Sequence, residues 1–194
     1  MNICLYGASS PEIDKSYITA TELLGEVMAK RGHNLVYGGG ANGLMGAAAR
    51  GVVKGGGKVI GVAPSFFKVD GVLFKNCSEF IYTDTMRQRK AIMEERADAF
   101  IAVPGGIGTF DELFEILSLK QLGRHNKPVT VYNVNKYFDG FKKMLETAVS
   151  EHFMTVESGE MVHIFEDSYK LLEYIESYRA DEYDLSVLRK VRMD

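Results

Sequence analysis

The sequence predicts a doubly wound α/β fold, a mainly parallel sheet with helices on both faces, and two observations carry that prediction. Short apolar runs alternate with stretches of helical periodicity from one end of the chain to the other. Two of those runs, ending at Tyr37 and Val103, break into glycines and restart at once as helices. With 194 residues, 46% of them apolar, and no linker, repeat or low-complexity tract, the pattern predicts a single domain over 1–179. A charged tail over 180–194 follows, with a helix as one reading of it.

Residues 2–7 read as a first buried strand that ends in glycine, and the loop 8–12 then falls where a ligand-facing loop belongs. Tyr17, Ala20, Leu24, Val27 and Met28 share one helical face, and Gly32 stops that helix after Lys30 and Arg31. A second strand over 33–37 leads through Gly38, Gly39, Gly40 and Gly43 into a small-residue helix over 44–53, suited to close backbone packing on the sheet. The third strand is 58–62, and 63–78 reads as an irregular loop long enough to cover a site. After a strand at 79–82, Thr85 starts a helix with Gln88 in capping-box position.

The run 98–103 is a central strand, and Phe110, Leu113, Phe114 and Leu117 repeat at helical spacing behind it, with Thr109 as the expected N-cap. Residues 127–132 supply the next strand. Phe138, Phe141, Leu145, Ala148 and His152 mark one face of another helix, 161–165 is a last strand or extended segment, and Tyr169, Leu172 and Ile175 lie on a closing helix after Asp167.

Composition excludes several classes. The net charge is −3 with no concentrated basic block, so the electrostatic footprint of a nucleic-acid binder is missing. Cys4 and Cys77 are isolated, and His33, His125, His152 and His163 lie far apart without metal-ligand spacing, so no metal site is expected. No stretch suggests a signal peptide or a membrane span, and a cytoplasmic location is the expectation.

Gly38, Gly40 and Gly43 satisfy GxGxxG, but the following strand ends Val62-Ala63-Pro64 with no carboxylate for a ribose, which argues against NAD. Lys58 lacks the glycine spacing and the hydroxyl neighbour of a Walker A loop. The turn Gly105-Gly106-Ile107-Gly108-Thr109 is the better anion site, because bare backbone at a helix start offers unpaired N–H groups and partial positive charge. Glu112 has two readings. It completes an S/T-x-x-E capping box with Thr109, or it faces a sugar held over the glycine turn. Glu115, one turn on, reads as solvated charge or as an outer substrate contact.

Met86, Arg89, Met93 and Ala97 fall on one helical stripe, which puts a guanidinium on an otherwise buried face. Such a group snorkels to solvent or requires a partner: a structural ion pair, Glu112, or a ligand phosphate. Lys90 points about 100° away and reaches the same site only at its rim.

Three motifs in order, 37–46 (YGGGANGLMG), 86–90 (MRQRK) and 104–112 (PGGIGTFDE), resemble the LOG family, the cytokinin riboside 5′-monophosphate phosphoribohydrolases. Relatives have also carried a lysine decarboxylase label, although no pyridoxal phosphate lysine motif is visible here. The resemblance implies a Rossmann-like homodimer that cleaves the N-glycosidic bond of a nucleoside 5′-monophosphate, releasing base and ribose 5-phosphate without a cofactor. It makes Arg89 and Glu112 the catalytic pair and Lys90 a binding neighbour, with Gly105, Gly106, Gly108 and Thr109 as the phosphate cradle. Gly39, Gly40, Met86 and Glu115 complete the candidate substrate contacts. Arg87 and Gln88 depart from the family's usual His-Glu or His-Gln. The alternative is a non-catalytic carrier of a nucleotide or phosphorylated cofactor on the same fold.

Overall fold

The computed structural model describes residues 1–180. All but the first residue of the expected tail, 180–194, therefore lies outside the described residues. The strands are β1 (Asn2–Tyr6), β2 (Asn34–Tyr37), β3 (Val59–Pro64), β4 (Glu79–Thr83), β5 (Ala99–Ala102), β6 (Val129–Tyr132) and β7 (Val162–Phe165). The helices are α1 (Lys15–Lys30), α2 (Gly43–Lys54), α3 (Met86–Arg96), α4 (Ile107–Gln121), α5 (Asp139–Ser150), a single turn α6 (Val156–Gly159) and α7 (Ser168–Ser177). The seven strands form one sheet in the order β4-β3-β2-β1-β5-β6-β7, and every pair in it is parallel.

Strand alternation splits the core in two. Ile3, Leu5, Leu35, Tyr37, Ala99 and Ile101 face α1, α2 and α7, while Cys4, Tyr6, Val36, Phe100, Ala102 and Val131 face α3, α4 and α5. Both faces are covered, which is why the strands read as continuous apolar runs rather than alternating ones. The chain winds outward from β1 in one direction and from β5 in the other, so the crevice above the carboxyl ends of β1 and β5 is the topological switch point. Gly7 closes β1 there, and the turn after β5 begins at Pro104.

Four sequence expectations are corrected. The small residues of α2 serve chiefly a close approach to α1: a Cβ on Gly51 would lie 2.0 Å from the Glu22 carbonyl oxygen, and one on Gly25 would lie 2.4 Å from that of Ala48. The helix after β5 starts two residues before Thr109, with Gly106 as its N-cap, so Thr109 is an interior first-turn residue. His152 lies beyond the end of α5, at φ 64°, and Phe141 is the buried residue of that helix. Tyr169 is half-exposed, and Leu171 joins Leu172 and Ile175 on the buried face of α7. The capping box at Thr85 forms as expected, with the Gln88 N–H donating to Thr85 Oγ1 at 3.1 Å and the Thr85 N–H to Gln88 Oε1 at 3.2 Å.

Candidate active site

The site is built where three carboxyl-end loops meet: residues 7–10 after β1, 38–42 after β2 and 104–109 after β5. They surround a cavity of about 640 Å³ lined by Gly7, Ser9, Gly38, Arg89, Gly106 and Glu112, among others. Both glycine turns lead into helices, but they are not equivalent. At α2 the N–H groups of Leu44 and Met45 both donate to the Ala8 carbonyl, at 2.9 and 3.3 Å. At α4 no side chain caps the helix start, and Gly106, Gly108 and Thr109 line the cavity. The second turn is thus the one whose helix N-terminus faces open space, with donors and dipole both directed at whatever occupies it. Gly105 must be glycine, since a Cβ there would lie 2.0 Å from Thr109 Oγ1.

Arg89 and Glu112 meet across α3 and α4. Arg89 Nη1 donates to Glu112 Oε1 at 2.7 Å and Nε donates to the Val62 carbonyl of β3 at 3.2 Å. Arg89 is 7% exposed and Glu112 8%, yet both line the cavity. Burial pushes the Glu112 carboxyl above its ordinary range, and the Arg89 guanidinium opposes that shift. The Thr109–Glu112 capping box does not form, because Glu112 turns to the guanidinium instead.

Other candidate residues are distributed around this pair. Met86 lines the cavity. Lys90 and Glu115 do not; they lie in an adjoining groove with Arg87, Phe114 and Ser118. There Lys90 Nζ is bonded to Asp111 Oδ2 at 3.1 Å and also to Glu115. Gly40 lines the cavity, while Gly39, at φ +76°, faces Phe80. Gln88 spends its side chain on the α3 cap, so neither it nor Arg87 reaches the cavity.

Sequence reasoning missed the role of Gly38 and the ties that hold the 63–78 loop, whose covering position it had expected. A Cβ on Gly38 would lie 1.9 Å from Arg89 Nη2, so this glycine makes the space the guanidinium fills. The 63–78 segment does cover the site. Phe67, Val72 and Leu73 form an apolar wall of the cavity, and the loop is tied to the first glycine turn by the Ala41 N–H to the Val72 carbonyl and the Phe74 N–H to the Gly39 carbonyl, both 2.9 Å. Only the loop's length pointed to that role. A larger groove of about 950 Å³ between α5 and β7 carries Asp139, Glu146, Glu160 and Glu166 against a single lysine, Lys142, a charge balance that repels phosphate.

An open parallel sheet with an uncapped helix start at its switch point, and a buried carboxylate–guanidinium pair beside it, defines a Rossmann-like protein with a candidate anion site. Residues 45–175 match the family model described as "possible lysine decarboxylase". The chain is 38% identical over 186 residues to the cytokinin riboside 5′-monophosphate phosphoribohydrolase LOG of Oryza sativa subsp. japonica, covering 96% of this chain and 76% of the relative. It is 38% identical over 176 residues to LOG2 of Arabidopsis thaliana, covering 91% and 83%. The molybdenum cofactor carrier protein of Chlamydomonas reinhardtii has the same fold, with a TM-score of 0.69 at 22% identity over 90% of this chain and 95% of that one. The chain belongs to the LOG family.

Proposed function

We propose that this chain hydrolyses the N-glycosidic bond of a nucleoside 5′-monophosphate, a cytokinin riboside monophosphate or AMP, to free base and ribose 5-phosphate. The single observation that carries the reading is the Glu112–Arg89 pair, buried beside an open helix N-terminus in one cavity. The 5′-phosphate is held by backbone N–H groups at Gly106, Gly108 and Thr109, with the α4 dipole behind them. That anchorage places C1′ of the sugar near Glu112. As the C1′–N bond breaks, its electron pair leaves with the base, which takes up a proton, and the sugar carbon becomes oxocarbenium-like. Glu112 stabilises that charge and aligns the water that attacks C1′, accepting its proton. Arg89 holds the carboxylate ionised and oriented. The apolar wall of Phe67, Val72 and Leu73, with Met45 and Met86, suits an N6-substituted adenine. Family membership at 38% identity supports the same reaction.

The carrier alternative has the fold in its favour, but a buried carboxylate beside an anion site is a poor feature for simple retention of an anion. Incubation with AMP and with isopentenyladenosine monophosphate, followed by chromatography, separates the two readings. Free base is expected, and tight binding without release would establish the carrier. Glu112→Gln is expected to lower turnover by at least about 10²-fold with the fold intact. The acid limb of the wild-type pH profile should lie above the ordinary carboxylate range, because below it Glu112 is protonated. Near-normal turnover in the variant would refute the assignment.

The chain is further proposed to act as a homodimer. Half-exposed Met86 and Phe114 beside the site support this. Light scattering on the purified protein tests it. A reducing cytoplasm is the proposed compartment, in keeping with two free cysteines. No helix of the described residues is long and apolar enough to cross a membrane.

A further inference from the structure

We propose that Tyr137 is a positioning residue for the anion cradle, locking the peptide between Gly105 and Gly106 so that the Gly106 N–H faces the cavity. The inference deepens the phosphate-binding part of the proposed function and rests on it. Tyr137 follows a 3-10 turn (Val134–Lys136) behind β6, and its hydroxyl donates to the Gly105 carbonyl. Gly106 lines the cavity, whereas Tyr137 is not among the lining residues and approaches the turn from behind. No described peptide is cis. In a trans peptide the C=O and the following N–H lie in one plane and point in opposite directions. A carbonyl drawn back to the tyrosine therefore aims the next N–H forward, at the anion.

The lock is needed because the joint lies between two glycines, where no side chain resists rotation of the peptide plane. Rotation by half a turn would present a carbonyl oxygen to the phosphate in place of a donor. The preceding peptide is pinned separately, with the Ala8 N–H donating to the Pro104 carbonyl at 3.1 Å.

The tyrosine is itself well braced. Its ring stands edge-on to Tyr17 of α1 and to Phe138, with centroids 6.3 and 5.1 Å away. Asn133 Oδ1 accepts from the Phe138 N–H at 2.7 Å, and its Nδ2 donates to Asp139 at 2.8 Å. Asn135 and Lys136 hold φ of 51° and 61°, a conformation that non-glycine residues keep only where surroundings impose it. Asn135 Nδ2 donates to Ser16 Oγ of α1 at 2.7 Å, which supplies part of that imposition. The hydroxyl is thus delivered to Gly105 from a turn held at both ends.

Tyr137→Phe keeps the ring contacts and removes the donor. The KM for a nucleoside 5′-monophosphate and the Kd for ribose 5-phosphate, by calorimetry, are each expected to rise about tenfold, the weight of one hydrogen bond. Cleavage of the corresponding riboside, which has no phosphate to place, should slow by less than about twofold by the same logic. Equal losses on both substrates would mean a general structural role and overturn the proposal, as would an unchanged Kd for ribose 5-phosphate. If the wild-type protein releases no base, the hydrolase reading fails while the ribose 5-phosphate comparison still decides the tyrosine's role. Absence of ribose 5-phosphate binding by the wild type would overturn the role given to Tyr137, while base release still decides the hydrolase reading.

Discussion

At the scale of single residues, the site depends on which partner each charged group finds. Glu112 was legible as either a capping residue or a site carboxylate, since the S/T-x-x-E spacing supports both. The contest is decided by Arg89, which lies 2.7 Å away and would otherwise be a buried cation with one carbonyl partner. Gly38 was legible as one glycine of a turn, but its reason is steric and comes from another element. Its φ does not lie in the left-handed region, so Gly38→Ala introduces no backbone strain and acts only through the 1.9 Å approach to Arg89 Nη2. The guanidinium must shift to admit the methyl, which disturbs its alignment with Glu112. We expect kcat/KM to fall by about 10²-fold, as for other ångström-scale misplacements of a catalytic group, with circular dichroism unchanged. An unaffected rate would show that the position of Arg89 is not what the reaction uses.

At the scale of elements, α3 is the weak member of the site. Arg89 and Met93 are its only buried residues, so apolar burial contributes little to holding it. Its start is correspondingly well made. Thr85 and Gln88 form the reciprocal cap, and Gln88 Oε1 also accepts from the Asp84 N–H at 2.9 Å. Lys90 joins α3 to α4 through Asp111 and Glu115 in the groove that adjoins the cavity. Thr85→Ala is expected to cost about 1 kcal/mol, a fall in Tm of roughly 2–4 °C for a chain of this size, measured by differential scanning calorimetry. This cap was readable because all its partners lie within four residues of one another. The start of α4 was misread for the complementary reason, that Thr109 and Glu112 match a local motif while their side chains are claimed by the interior.

For the whole molecule, stability responds to pH through groups buried far from the cavity. His125 is 9% exposed at the end of α4, its Nε2 donating to the Ile116 carbonyl at 2.9 Å and its Nδ1 accepting from the Lys127 N–H at 3.2 Å. Both nitrogens are committed in the neutral form, and burial holds the imidazole pKa down to about 4, with Lys120 and Lys127 adding to the effect. The unfolded chain then binds a proton that the folded chain refuses. Stability should therefore fall as pH drops from about 6.5 towards 4, by on the order of 3 kcal/mol from this residue. Burial lowers His163 as well, in the same direction. Urea titrations of wild type and His125→Gln at pH 7 and pH 4.5 isolate the residue. An equal loss of stability in both proteins would exclude it as the source.

The alternation of apolar runs with helical periodicity determined the layered α/β fold, the strand positions to within a few residues, and the glycine turn that leads into α4, because each is written in contiguous residues. The order of the strands, the meeting of Arg89 with Glu112, the space left by Gly38 and the tyrosine behind Gly105 were decided only when the chain closed on itself. Those contacts join residues 23 to 51 positions apart, and local spacing carries no term for such partners.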